Sequence, residues 1–281
     1  PSLRLISQSG IMPLAPFQDT AGPLCRKARD CAIIMDVITQ YDQSSESNQR
    51  SSFDIDSSLI SSKTQYDETF TPHFNQNLDE NSLAGAKIAV VTQLFGEGID
   101  RENQKVQELS KVAIKNLESL GASIEEINID ELRFILTEYN SVSALEFASS
   151  FTRYLQSWPS NEDSHPRSFQ EVYTQRTFDD RSQSTFDLYN FYGTDHQSNP
   201  EYYKNTVERP QLVRPLFRDL FKKYDALIYP TITGLPGRLG ESPTSSGPAS
   251  KLSAFTGFPA ITMPIGYSEI DGEDNLPVGL E

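Results

Sequence analysis

The chain is poor in the residues that build most metal and redox sites. Its 281 residues include only 3 His and 2 Cys. His73, His165 and His196 lie in unrelated polar contexts, and neither CxxC nor HExxH occurs. Nothing is spaced to ligate a metal, and no cofactor is expected. Cys25 and Cys31 stand six apart in what reads as one helix. That spacing disfavours a disulfide, so both are expected as reduced thiols. No apolar run reaches the roughly 18 residues of a membrane helix, and no signal-peptide core is present. Positive charge is also scarce, with 24 Lys and Arg against 39 Asp and Glu, a formal net charge of −15. That balance argues against nucleic-acid phosphates and anionic membrane surfaces as partners. It fits a cytoplasmic protein acting on small molecules or meeting other proteins. A G-x-S-x-G elbow and a Walker loop are missing as well. "GEG" at 96–98 has no third glycine, and the serines of "TSSGPAS" (244–250) have no base beside them. These read as a strand-to-helix turn and a solvated loop.

What is present is an α/β pattern with a core of 16 Phe and 12 Tyr, enough to exclude wholesale disorder. "RKARDCAIIMDVIT" (26–39) places Ala28, Ala32, Met35 and Ile38 on one helical face. Residues 42–82 are rich in Ser, Asn, Gln and Asp and read as a polar surface loop. "AKIAVVT" (86–92) is a buried strand. Asp100 is placed to cap the helix that follows, whose stripe is Val106, Leu109, Val112, Ala113, Leu117 and Leu120. Gly121 ends that helix and "ASIEEINI" alternates as a strand, so the unit predicts a right-handed parallel crossover. Residues 131–156 read as one long helix and "SFQEVYTQR" as a shorter one. Pro210 and Pro215 predict two helices, or one kinked at Pro210, over 199–224. "DALIYPT" is a strand, "SAFTGFPAITMPIGY" a Gly-Pro turn and then a strand, and "DG" at 271–272 a hairpin signal before "NLPVGLE".

Three segments carry more than this pattern explains. After Pro1 and Ser2 come Ser7, Gly10, Pro13, Asp19, Thr20, Gly22, Pro23, Arg26, Asp30 and Ala32. Later come Asp225, Ala226, Leu227, Pro230 and Thr231, then Gly257, Pro259, Ala260, Ile261, Pro264 and Gly266, and finally Leu276, Pro277, Val278, Gly279 and Leu280. In order and separation they resemble the amidase signature family of serine amidohydrolases. Asn275 departs from the glycine usual at that place.

The resemblance implies a single α/β/α domain on a large mixed central sheet, spanning 1–281 and truncated at both ends. Residues 130–224 would form its variable helical insert. It also implies hydrolysis of a carboxylic amide C–N bond by a Ser–cis-Ser–Lys triad, in which a desolvated neutral Lys draws the proton through the bridging serine. All three triad members belong to the part of the family pattern before Pro1. Lys27, Lys87 and Ser9 stand outside the motif context, so no catalytic residue is assigned and the isolated segment is expected to be inactive. Thr231, Ser253, Phe255 and Phe258 are candidates for the wall of the acyl pocket. Asp19, Thr20, Gly22, Pro23, Arg26, Gly257 and Pro259 read as structural. Asp19 would form an Asx-type turn or open the next helix, Pro23 would fall near its first turn, and Arg26 would pair with Asp30. The expected partner is a small-molecule amide substrate; a homodimer is left open. The alternatives are a non-catalytic family member acting as a binding or scaffold protein, or a glutamyl-tRNA amidotransferase A-type subunit. The stretch between Thr231 and Gly257 lacks Asp, with Ala254 where such subunits usually have Asn. That favours a free-standing amidase.

Overall fold

The computed structural model describes residues 3, 5–8, 10–39, 72–96, 101–158, 165–193, 195–235, 251–270 and 273–281. The cap at Asp100, the serines of 244–250, the "DG" turn and most of the 42–82 loop lie outside them. The described part of that loop, 72–82, runs as successive turns.

The strand–helix–strand unit is present: β1 (Lys87–Val91), α2 (Arg101–Ser119) and β2 (Ser123–Ile127). Strand β1 pairs in parallel with β2 on one side and with β3 (Ala226–Ile228) on the other. Four of the five β1 residues are buried, as a central parallel strand requires. Asp225 fixes the register of β3. Its carboxylate accepts the Lys87 N–H at 2.8 Å, and its own N–H donates to the Lys87 carbonyl at 2.8 Å.

Strands β4 (Met263–Ile270) and β5 (Glu273–Leu280) form an antiparallel pair. The pair joins the parallel strands through Tyr229 and Glu281, which exchange backbone hydrogen bonds at 3.0 and 2.8 Å. Among the described residues the three-stranded parallel sheet, in the order β2-β1-β3, and the β4–β5 pair are thus two sheets linked by an isolated bridge between Pro230 and Leu280. Helix α2 lies across them and comes close to Gly266, where a Cβ would meet Leu109 Cδ2 at 3.0 Å. Its predicted stripe needs correction. Val106, Leu109, Ala113 and Leu117 pack inward together with Ile114, whereas Val112 and Leu120 are exposed.

The helical region differs from its expected form in two places. Residues 131–156 are two helices, α3 (Leu132–Glu138) and α4 (Ser143–Ser157). Tertiary hydrogen bonds hold the break open. The Asn140 N–H donates to Asn205 Oδ1 at 2.6 Å, and Gln18 Oε1 accepts the Val142 N–H at 2.9 Å. Such bonds to loop residues override a periodic pattern that reads as continuous. Further along come α5 (Phe169–Gln175) and α6 (Gln183–Tyr192). The 199–224 stretch then runs as α7 (Pro200–Tyr203), a π-helical turn (Lys204–Glu208) and α8 (Arg209–Leu220), with Pro215 inside α8. The π turn sits immediately before Pro210, where the missing N–H frees a carbonyl in the preceding turn.

The two cysteines also need correction. Cys25 precedes the first helix, α1 (Ala28–Ile38), so the pair does not share a helix. Lys27, between them, is extended, the Cα atoms lie 5.6 Å apart, and the two sulfurs form a disulfide. The expectation of two reduced thiols is therefore overturned. Among the described residues, no helix is long and apolar enough to cross a membrane.

Candidate functional site

The loop at 10–19 is built around Asp19, whose Oδ2 accepts the N–H groups of Leu14 at 2.8 Å and Ala15 at 2.9 Å. The Ala15 carbonyl in turn accepts the N–H groups of Gln18 and Asp19. Asp19 is therefore a turn residue facing back along the chain. It does not open α1, whose N-cap Lys27 has no side-chain cap. Pro23 lies well ahead of that helix, Arg26 precedes it, and no ion pair joins Arg26 to Asp30 among the described residues. Thr20 and Gly22 are exposed, and Thr20 Oγ1 makes only a long contact to the Ala21 carbonyl at 3.4 Å.

From this loop a chain of buried polar contacts runs into the helices. The Phe17 N–H donates to Glu146 Oε2 at 3.2 Å, and the Tyr202 hydroxyl donates to Glu146 Oε1 at 2.9 Å. Burial pushes the Glu146 carboxyl above its ordinary range, against the two hydrogen bonds, which favour the ionised form. His196 stacks edge-on against Tyr202 at 4.7 Å and approaches Ser149 Oγ with Nδ1 at 3.3 Å. On α8, Arg209 is fully buried. Its Nη1 donates to the Asn140 carbonyl at 2.9 Å, and its guanidinium lies 4.2 Å from the Phe255 ring and 5.8 Å from that of Phe17. Burial first, and Arg214 second, pull its pKa down to about 10.

The opposite wall is α9 (Lys251–Thr256), where the expected turn is helical. The Gly257 N–H closes it by donating to the Ser253 carbonyl at 2.8 Å, with φ +76° at Gly257. A left-handed residue ending a helix is the physical reason for glycine here. Arg214 Nε donates to the Thr256 carbonyl at 3.3 Å, and the Gly257 carbonyl accepts the Leu3 N–H at 3.1 Å. The start of the chain is thus fastened to the turn before Pro259, which itself is exposed.

Of the four predicted wall residues, three come together on or beside α9. Phe255 is a core residue under the Arg209 guanidinium, and Phe258 is half-buried against Phe221 with ring centres at 5.0 Å. Ser253 contributes its carbonyl to the helix end. Thr231 lies elsewhere, at the strand ends, where its N–H donates to the Gly279 carbonyl at 3.0 Å and its hydroxyl faces that of Thr262. Glu146, Arg209, Arg214 and Tyr202 were not singled out from the sequence. A signal for them existed: Glu146 interrupts the apolar "SALEFASSF", and two Arg-Pro pairs recur in "ERPQLVRP".

The Amidase family model matches residues 1–281. The chain belongs to the amidase family. The likeness read from the three motif segments is therefore borne out. Among curated relatives, the glutamyl-tRNA(Gln) amidotransferase A-type subunit of Alkaliphilus metalliredigens is 25% identical over 293 residues, covering 100% of this chain and 54% of the relative. Its counterpart in Dehalococcoides mccartyi is 27% identical over 304 residues, with the same coverage of 100% and 54%. The chain spans about half the length of these relatives. Among solved structures, the peptide amidase of Stenotrophomonas maltophilia superposes with a TM-score of 0.71 at 21% identity, covering 100% of this chain and 52% of that one. The glutamyl-tRNA(Gln) amidotransferase A-type subunit of Thermotoga maritima gives a TM-score of 0.63 at 21% identity, with the same 100% and 52%. The fold of the chain is that of the amidase signature proteins.

Proposed function

We propose that the protein hydrolyses a carboxylic amide C–N bond through an acyl-enzyme on a serine encoded upstream of Pro1. The 281-residue segment would supply the sheet, the pocket wall and the substrate-side loops. The observation that carries this reading is the family match over residues 1–281. The Leu3–Gly257 hydrogen bond supports it, because it sews the residue just after the matched Pro1 and Ser2 to the turn before Pro259. Amide resonance demands an activated nucleophile and donors aimed at the developing oxyanion. In this reading the chain's own part is to hold that wall rigid and dry. Asp19 fixes the loop, Gly257 ends α9, and Phe258 lines the acyl side. The test has two halves. The upstream sequence should hold a Gly-Ser-rich stretch with a serine pair and an earlier lysine. The complete protein should turn over simple aryl or alkyl amides while the 281-residue chain does not. Absence of that serine and lysine, or turnover by the segment alone, would overturn the assignment.

A second reading has its own support: relatives including those of Alkaliphilus and Dehalococcoides carry the name of the tRNA-linked enzyme. Under that reading the protein would copurify with further subunits and show glutamine-dependent amide transfer. Monomeric or self-associated protein with amidase turnover favours the free-standing enzyme.

A further inference from the structure

Arg209 is 0% exposed, yet only one of its three nitrogens has an acceptor. Nη1 is satisfied by the Asn140 carbonyl, whereas Nε and Nη2 are buried without any hydrogen-bond partner. Those two atoms are not an arbitrary pair. They form the side-on edge of the guanidinium, where two N–H bonds point the same way in one plane. A carboxylate presents two oxygens at matching separation, and the bidentate pair is among the strongest hydrogen-bonded contacts available to a buried cation. The Phe255 face at 4.2 Å holds the plane of the guanidinium, so the orientation of the open edge is set before anything binds.

The electrostatics agree with this geometry. Arg214 is buried nearby and disfavours the charge on Arg209. Glu146, whose charge acts on Arg209, accepts from the Phe17 N–H and the Tyr202 hydroxyl with its two oxygens. A buried guanidinium with two unmet donors costs free energy that an incoming anion would recover. We propose that the side-on edge of Arg209 is a binding site for one carboxylate group of a small organic acid. The ligand would be seated in the plane above Phe255, between the 10–19 loop and α9. A carboxylic acid is also the product class of amide hydrolysis, so the site gives the proposed reaction a place to hold an acid or a substrate bearing one. Binding itself does not depend on turnover. Nε and Nη2 are enclosed, so the ligand enters only when a wall residue moves, and association is expected to be slow.

The test is thermal unfolding of the chain in sodium acetate and in sodium succinamate, each against sodium chloride at equal ionic strength. At a hundredfold excess over Kd the carboxylates are expected to raise Tm by roughly 5–10 °C beyond chloride. A shift with both salts assigns the site to simple acids, and a shift with succinamate alone assigns it to acids that also carry an amide. Arg209→Met should abolish either shift. Arg209→Lys, which keeps the charge but offers no fork, guards against misfolding and should weaken binding at least tenfold. In a 15N-labelled chain, the arginine Nε–H signal missing from Arg209→Lys should move downfield on carboxylate addition. Equal shifts in chloride and carboxylate, a shift that survives Arg209→Met, or an Nε–H signal indifferent to carboxylate would each overturn the proposal. A loss of amide turnover in the complete protein would not touch these readouts.

Discussion

Two neighbouring regions of the molecule share apolar cores but differ in how much they add to them. The helical region around α4, α5 and α6 is an aromatic cluster. Phe147 stacks on Tyr189 at 4.3 Å and on Phe151 at 5.1 Å, and meets Phe169 and Phe186 edge-on at 6.0 and 5.9 Å. The wall formed by the 10–19 loop, α8 and α9 has apolar contacts of its own, such as Val213, Phe217, Leu252 and Phe255, and adds to them a set of single polar atoms: Asp19 Oδ2, Gln18 Oε1, Glu146 and Arg209. Ring packing shares its energy over many contacts, so volume-conserving changes cost little. A buried polar contact is directional, and losing one partner strands the other. The first region should set how stable the molecule is, and the second should set the shape it presents to a ligand.

The sharpest way to break that contrast is Phe147→Ala. Removing the ring at the centre of four aromatic contacts should cost about 3–5 kcal/mol of stability in urea titration. Phe147→Leu should cost less than about 2 kcal/mol. In neither variant should carboxylate response at Arg209 change per folded molecule. If Phe147→Ala costs less than about 1 kcal/mol, the helices are held by something other than the cluster. Next in size is Asp19→Ala, which removes the acceptor of the Leu14 and Ala15 N–H groups. It should cost about 1 kcal/mol and accelerate hydrogen exchange at those two amides. Asp19→Asn, which keeps an acceptor, should recover part of both. Unchanged exchange at Leu14 and Ala15 would mean that the loop is held from elsewhere.

The same contrast explains what was legible in the sequence. Regions built by periodic apolar contact could be read, such as β1, α2, β2 and the α1 face of Ala32, Met35 and Ile38, although Ala28, expected on that face, is exposed. The order of the motif segments pointed to the family. Asp19 read as a turn former because a short acid between Gly and Pro residues has few other uses. What escaped depends on contacts between residues far apart in the chain. The break at Tyr139–Val142 is set by Asn205 and Gln18, which lie over sixty and over one hundred residues away. Glu146 and Arg209 gave no periodic signal because each is polar at a buried position, which apolar periodicity treats as noise. The Cys25–Cys31 bridge was missed because the helix begins at Ala28, two residues later than Arg26, and boundaries are where pattern reading is weakest.

The smallest expected effect tests whether the polar wall is tuned by its burial. Glu146 is pushed upward mainly by burial and further by Asp19 facing it from the loop. The Phe17 N–H, the Tyr202 hydroxyl and Arg153 act in the opposite direction. For an acid whose folded pKa is raised, the folded state holds the proton more tightly than the unfolded chain does. Its contribution to stability is therefore complete below the ordinary value of 4.5 and is lost as pH rises through the raised value. Wild-type urea midpoints should accordingly fall from about pH 4.5 toward neutrality by an amount that Glu146→Gln removes. Glutamine keeps one oxygen for the Phe17 N–H or the Tyr202 hydroxyl but never ionises. Relative to wild type, its midpoint should thus rise as pH goes from acid to neutral. A difference between the two proteins that stays constant across this range would show that Glu146 is held ionised by its hydrogen bonds, and that these, rather than burial, govern the wall.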